Sequence, residues 1–553
     1  MYYNSTFKIK IKDKKCFTKI PPPTTRITFH STFSRFFFFF NPKQIFKISW
    51  LSFVILTSLF IACLNFPLFS HVFSIAENLQ TFLLFFILYF CLLFASFALL
   101  FLPYLGKILL TLLIPATAFC VYFMHNFGVM IDTAMLENVL QTDAKEIQEI
   151  LSLKFLFFVF IAVVLPLYCI YKIKIEFKNP KKQLMLQLAT FLTSLTIAAI
   201  IFALSNAWLI PFLRTHQQIR FFNAPFYQGY SLVKLVKGRY FAHKDFRTLS
   251  TSASLKNPKD KKLLILVVGE TARAQNYSLG GYLKNPTNLY TQSIPNLVFF
   301  PNFYACGTST AISLPCMFSY SKRAHFKTNE FTENILDILQ KAGVYITWLG
   351  NNSGGCKGVC DRLQERYLFT ENYDGFLITK TKEMLKNQNP NRLLILHLQG
   401  SHGPSYFKRY PKEFERFLPT CKTNNLSQCS QDSIFNTYDN TLLYTDFLLQ
   451  SLIHTLNNLT SYKVALLYLS DHGESLGENG IYLHGMPYFI APKEQKHIPF
   501  IFWSNNARLN NLAKQRHSKE YSHDNLFSTL LGFFEVQMKE NLYEPHLDIF
   551  ANP

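Results

Sequence analysis

Three short polar segments hold the residue types that metal-assisted group transfer requires. Gly269-Glu270-Thr271-Ala272-Arg273 offers a carboxylate, and Ser470-Asp471-His472-Gly473-Glu474-Ser475 offers a carboxylate beside an imidazole. Gln399-Gly400-Ser401-His402-Gly403-Pro404 offers a further imidazole. Mixed oxygen and nitrogen ligation suits Zn²⁺, and the trio Glu270, Asp471 and His472 leaves a fourth position for a nucleophile or substrate. An isolated Asp-His-Gly is an ordinary polar turn. Here it directly follows an apolar run, as Glu270 follows another, and that context favours a metal site.

The fourth group is sought in Cys306-Gly307-Thr308-Ser309-Thr310-Ala311-Ile312-Ser313-Leu314-Pro315-Cys316. A threonine is a weak nucleophile at its free pKa, and metal coordination activates it. If the segment opens a helix, its first N–H groups also cradle phosphate oxygens. Residue physics leaves Thr308, Ser309, Thr310 and Ser313 all open, with a plain N-cap cluster as the alternative.

Strands must present these segments together. Leu263 to Val268, Leu393 to Leu398 and Val464 to Leu469 are continuous apolar runs, the pattern of strands buried on both faces. Helix-like stretches such as Asn334 to Ala342 and Ser433 to Leu456 alternate with them. The expectation is an α/β domain over 262–553 with a mainly parallel sheet, whose strand-end loops converge on one site.

The rest of the chain predicts a membrane. Of 553 residues, 49 % are hydrophobic and only 16 % charged, and the excess lies in the first two hundred. Apolar stretches near 48–70, 80–103, 107–126, 153–173 and 184–206 are each long enough to cross a bilayer, which takes about 20 residues. The expectation is an α-helical domain of five transmembrane helices over 48–206. The net charge of +21 is partly local: Lys8, Lys10, Lys12, Lys14, Lys15 and Lys19 crowd a basic tail, 1–47, placed in the cytoplasm. The turn at Gly106 and Lys107 and the lysine-rich segment Lys172 to Lys182 are expected inside as well. The loop Ser70 to Leu79 and the segment Asp132 to Glu149, with Asp143, Glu146 and Glu149 against Lys145, are expected outside. Five spans then put everything after about Ala207 outside. No cleavable signal peptide is expected, because the first span can serve as an anchor. Residues 207–261 are read as a juxtamembrane bridging segment and linker, whose Arg and Lys suit anionic headgroups. No nucleic-acid motif is present, so membrane lipids rather than nucleic acid account for the basic charge.

Cysteine placement agrees with this orientation. Cys16, Cys63, Cys91, Cys120 and Cys169 are isolated in the apolar part. Cys306 with Cys316, Cys356 with Cys360, and Cys421 with Cys429 form local pairs in the polar part, which favours disulfides in an oxidising compartment. A zinc site on Cys356-Lys357-Gly358-Val359-Cys360 is the rival reading.

Further residues carry a family resemblance. Val268-Gly269-Glu270-Thr271-Ala272-Arg273-Ala274, Cys306-Gly307-Thr308-Ser309-Thr310, Pro315-Cys316-Met317-Phe318-Ser319 and Gly355-Cys356-Lys357-Gly358-Val359-Cys360-Asp361-Arg362 come in order. Gly400-Ser401-His402-Gly403-Pro404, Ser470 to Glu478, Tyr482-Leu483-His484-Gly485 and His523-Asp524-Asn525-Leu526-Phe527-Ser528 follow, with Asn138-Val139-Leu140-Gln141-Thr142-Asp143 in the apolar half. The chain resembles the lipid A phosphoethanolamine transferases, including the mobile colistin-resistance enzymes, of the alkaline phosphatase/sulfatase superfamily. The resemblance implies transfer of phosphoethanolamine from phosphatidylethanolamine to lipid A through a covalent intermediate on Thr310. It implies that Glu270, Thr310, Asp471 and His472 hold a catalytic zinc. His402 and His484 would bind phosphate, assist proton transfer or hold a second zinc, and Lys357 and Asn352 would contact the donor headgroup. The six paired cysteines match positions bridged in the family; a further pair that some relatives carry between Cys360 and Cys421 is missing. The resemblance also implies an inner-membrane location with the catalytic domain in the periplasm. The alternatives are a membrane-anchored phosphoglycerol transferase or sulfatase-like hydrolase, and a non-enzymatic scaffold or transporter. The last is disfavoured because the spans lack membrane-centre charges.

Overall fold

The structure, a computed structural model, describes residues 46–551 except 77, 143–146, 148–150, 239–244, 329 and 353. The basic tail up to residue 45, with Cys16, lies outside the described residues, as do Asp143, Lys145, Glu146 and Glu149.

The apolar half is helical: α1 (Trp50–Leu64), α2 (Phe66–Ile75), α3 (Leu79–Leu100), α4 (Leu105–Phe127), α5 (Thr133–Gln141), α6 (Leu153–Lys172), α7 (Pro180–Thr215) and α8 (Phe226–Val236). Polar side chains start several of them. Asn78 Oδ1 accepts from Thr81 N at 2.9 Å, Asp132 Oδ1 from Met135 N at 2.9 Å and Ser152 Oγ from Phe155 N at 3.2 Å, satisfying orphan first-turn donors. Helices α3, α4, α6 and α7 are each long and apolar enough to cross a membrane.

The first expected span differs from a straight rod. Helices α1 and α2 meet at 61°; taken as one bent span, the pair brings the number among the described residues to five. The break falls at the fully buried Asn65, followed by Pro67, which removes a helical donor. Asn65 Nδ2 donates to Ala224 O at 2.8 Å, and Ala224 N donates to Asn65 Oδ1 at 3.0 Å. The stretch expected as the Ser70 to Leu79 loop is therefore mostly α2. On the opposite side, Phe46–Ser49 pairs in parallel with Ile173–Glu176, and Lys107 Nζ reaches Ile173 O at 2.6 Å. Two segments expected on one side of the membrane thus touch.

The remainder is an α/β domain built on eight strands: β1 (Lys262–Gly269), β2 (Val298–Tyr304), β3 (Tyr345–Gly350), β4 (Glu365–Leu368), β5 (Asn391–His397), β6 (Lys463–Ser470), β7 (His497–Ser504) and β8 (Tyr521–Ser522). Their order is β8-β2-β7-β6-β1-β5-β3-β4. All neighbours are parallel except β7, which runs against both β2 and β6. Helices α9 (Thr310–Met317), α10 (Ile335–Lys341), α11 (Phe376–Met384), α12 (Gln431–Asn457), α13 (Ala507–Arg516) and α14 (Leu526–Phe534) cover the faces. Strand β1 shows why its apolar run is unbroken. Leu264, Leu266 and Val268 enter the core under α10 and α14, while Leu263, Ile265 and Val267 enter the core under α12. The register pairs Val268 with His397 on β5 and with Leu469 on β6, so the three central strands end level.

Candidate active site

The level strand ends deliver Glu270 from β1 and Asp471 and His472 from β6, all three fully buried. Each brings a ligand atom within 4.8 Å of the others. Thr310 is the first residue of α9, and its Oγ1 lies 3.1 Å from both carboxylate oxygens of Glu270 and 3.3 Å from His472 Nε2. Ser309 stands at the N-cap but makes no side-chain capping bond. Its neighbours are committed elsewhere: Thr308 Oγ1 donates to Met486 O at 2.6 Å, and Ser313 Oγ donates to Asp471 O at 2.5 Å. Of the four hydroxyl candidates, Thr310 is the one whose oxygen meets the carboxylate and imidazole.

His472 Nδ1 donates to Gly473 O at 2.9 Å, which turns Nε2 toward the cluster, as metal-binding imidazoles are held. Asp471 Oδ1 accepts from Thr271 N and His472 N, whereas Oδ2 is buried without a hydrogen-bond partner. Burial would raise the Glu270 carboxyl, but the bond and charge of His472 hold it well below the usual carboxylate range. Burial and the Glu270 charge push Asp471 up. Two buried carboxylates thus compete for positive charge that a divalent cation satisfies. The residues fit a metal.

The other expected residues surround this cluster. The His484 ring lies 4.3 Å from that of His472, and the His402 ring 5.8 Å from that of His484. Asn352 Nδ2 donates to Glu270 Oε2 at 2.6 Å and to Leu398 O at 3.3 Å, so its amide aims Glu270. Lys357 lines a cavity of about 240 Å³ together with Ala311, Pro315, Glu137 and Gln141. The three cysteine pairs are bridged, with Cα atoms 6.0, 5.8 and 5.7 Å apart in Cys306–Cys316, Cys356–Cys360 and Cys421–Cys429. The rival zinc site at Cys356 and Cys360 therefore has no thiolates to offer.

The sequence matches the sulfatase family over residues 262–536 and the phosphoethanolamine transferase EptA/EptB family over residues 89–240. It is 36 % identical over 466 residues to phosphoethanolamine transferase EptA of Escherichia coli K12, covering 79 % of this chain and 84 % of that protein. The chain belongs to the EptA phosphoethanolamine transferases. Its structure superposes on the integral membrane lipooligosaccharide phosphoethanolamine transferase EptA of Neisseria meningitidis with a TM-score of 0.87 at 32 % identity, over 92 % of this chain and 99 % of that one. The periplasmic domain of phosphoethanolamine transferase EptC from Campylobacter jejuni matches at 57 % identity and a TM-score of 0.54, covering 56 % of this chain and all of that domain. This phosphoethanolamine transferase is an inner-membrane protein with its α/β domain in the periplasm. The scaffold and transporter readings fall away.

Several further residues position the transferase's site. Glu474 is fully buried, accepts from Tyr406 Oη at 2.5 Å and bonds His484 Nδ1 at 2.8 Å. Burial pushes its carboxyl up to about 8. Asp374 accepts from Gln399 N, Gly400 N and Asn351 Nδ2, each at 2.9 Å, and so pins the loop before His402. His523 Nδ1 accepts from Cys306 N at 3.0 Å while Nε2 donates to Ser470 O at 3.0 Å, tying the Thr310 segment to the end of β6. Thr271 sits at φ +60°, rare for a β-branched residue, held by its bonds to Asp471 and Glu270. His523 belongs to a motif legible in sequence; Asp374, Tyr406 and the left-handed Thr271 are not legible there.

Proposed function

We propose that this enzyme moves phosphoethanolamine from phosphatidylethanolamine to a lipid A-type acceptor through an ester on Thr310. The observation that carries the reading is Thr310 Oγ1 facing both oxygens of Glu270 and His472 Nε2 at the N-terminus of α9. Glu270, Asp471, His472 and Thr310 would hold a zinc ion. When bound, that ion lowers the pKa of the Thr310 hydroxyl and stabilises charge building on the phosphoryl oxygens.

The residues then divide the work. Glu270 takes the proton of the Thr310 hydroxyl as Oγ1 attacks phosphorus. The phosphorus–oxygen bond to diacylglycerol breaks, and that oxygen leaves with a proton supplied from His402 or His484. In the second half, an acceptor phosphate oxygen attacks the same phosphorus and Thr310 departs with its proton restored. The first N–H groups of α9 orient the phosphoryl oxygens. Lys357 reaches the donor phosphate, and Asn352 keeps Glu270 in line. Glu474 fixes the His484 ring through Nδ1, and His484 binds phosphate or a second zinc. We further propose the domain bounds 48–206 for the spans, 207–261 for the bridge and 262–553 for the catalytic domain.

Mass spectrometry of lipid A from cells with and without the protein tests the reaction. Lipid A carrying the mass of one phosphoethanolamine, only when the protein is present, is expected. Unmodified lipid A beside a modified periplasmic protein would overturn the acceptor and keep the donor.

A further inference from the structure

Two cavities open on the first turn of α9. The one of about 240 Å³ touches Ala311 and holds Lys357. The other, of about 970 Å³, touches Ile312 and holds Arg220, Lys234 and Lys327. Glu137, Phe326 and Phe331 belong to both, forming a shared wall. Ligand sites for drug-sized molecules span roughly 300–1,000 Å³. The larger cavity matches a bulky phosphorylated sugar; the smaller suits only a headgroup.

Charge separates the two further. The donor phosphatidylethanolamine is zwitterionic, whereas a lipid A-type acceptor presents a phosphate monoester with no cation of its own. Arg220, Lys234 and Lys327 line the larger cavity and not the smaller one. Its own acid, Asp132, caps α5 through Met135 N at 2.9 Å and also feels the charge of Lys234, so Arg220 and Lys327 supply the excess positive charge. The remaining acids, Glu137 and Glu330, stand on the wall toward Lys357. Its apolar lining includes Phe489 of the catalytic domain, 63 % exposed beside Phe221, and elsewhere on α8 Tyr230 and Val233 are 62 % and 67 % exposed. Exposed apolar side chains over cationic ones are how a surface meets a lipid bilayer.

We infer that the larger cavity is the acceptor site, in which Arg220, Lys234 and Lys327 hold the phosphate of an anionic, acylated sugar while its acyl chains stay in the membrane beside α8. The two half-reactions then use neighbouring faces of the first turn of α9, donor by Ala311 and acceptor by Ile312. This rests on Thr310 being the carrier of phosphoethanolamine.

The test uses the full-length enzyme in lipid–detergent micelles and the double variant R220Q/K234Q. One measurement follows labelling of Thr310 by phosphatidylethanolamine without acceptor. The other follows KM for lipid A in the complete transfer. Labelling at the wild-type rate with KM raised about tenfold or more is expected, since a charge-assisted bond is worth above one decade. Loss of labelling in step with transfer, or an unchanged KM, overturns the assignment. Should the double variant not fold, K327E at an exposed position gives the same readout by charge reversal. Absence of label on the wild-type Thr310 counts against the carrier, and is thereby distinct from failure of the acceptor site.

Discussion

Thr310 Oγ1 stands 3.1 Å from each oxygen of the Glu270 carboxylate. The two residues are 40 positions apart and arrive on different elements, one opening α9 and the other directly following β1. Equal reach to both oxygens places the hydroxyl on the axis of the carboxylate, where its proton can pass to either. Replacing Thr310 with Ala removes the proposed nucleophile and leaves the buried carboxylates in place. Transfer to lipid A should fall to background with an unchanged melting temperature. Thr310→Ser should keep part of the activity. A Thr310→Ala enzyme that still modifies lipid A sinks the assignment.

Metal removal should act through the same cluster. Dialysis against a chelator is expected to abolish transfer, and zinc should restore it. The orphaned Asp471 Oδ2 makes the same point from the other side. Asp471→Asn should lower zinc content measured by atomic emission. Full activity after chelation, with no metal detected, would contradict the ligand set.

Glu474 should matter without touching the substrate. It holds His484 by Nδ1 at 2.8 Å. Glu474→Gln would alter which imidazole nitrogen carries the proton, and partners of this kind typically cost about 10–100-fold in activity when changed. Steady-state rates should drop by that order while zinc bound at Asp471 and His472 stays constant. An unchanged rate would leave Glu474 as a packing residue.

Asn65 couples the bent first crossing to the bridge before α8 by two bonds to Ala224. Asn65→Leu leaves a buried N–H and a buried C=O without partners, a cost of about 1–3 kcal/mol each. Thermal unfolding in detergent should report a lower melting temperature. An equal or higher one would show that the pair is replaceable by packing.

A pH effect follows from Asp446, whose carboxyl burial pushes up to about 6 against bonds from Thr291, Asn288 and Tyr290. The folded state holds this proton more tightly than the unfolded chain. Its contribution is complete below the unfolded value near 3.9 and is lost as pH rises through about 6. Asp446→Asn should flatten that part of the stability curve, read by thermal unfolding across the same range. An identical slope in the variant would place the titration elsewhere.

Much of this was legible in the residues. The unbroken run Leu263 to Val268 signals burial on both faces, and the register confirms it by sending alternate side chains into two cores. Apolar length revealed the crossings, because a bilayer demands it. The bend at Asn65 was only partly legible: Pro67 marks it in the residues, but the bonds that hold it come from Ala224, 159 residues away. Nor was the aim of Asn352, which depends on β3 ending beside β1 through β5. Glu474 reads as one more polar residue until His484 and Tyr406 fold against it. Period and spacing report local demands; hydrogen bonds between distant loops leave no such trace.

The most direct measurement is peptide mass spectrometry of the purified enzyme incubated with phosphatidylethanolamine and no acceptor. The account predicts the mass of one phosphoethanolamine on the peptide containing Thr310, lost again when lipid A is added. An enzyme that transfers with that peptide unmodified throughout, or modified at Ser309 or Ser313 instead, would contradict it.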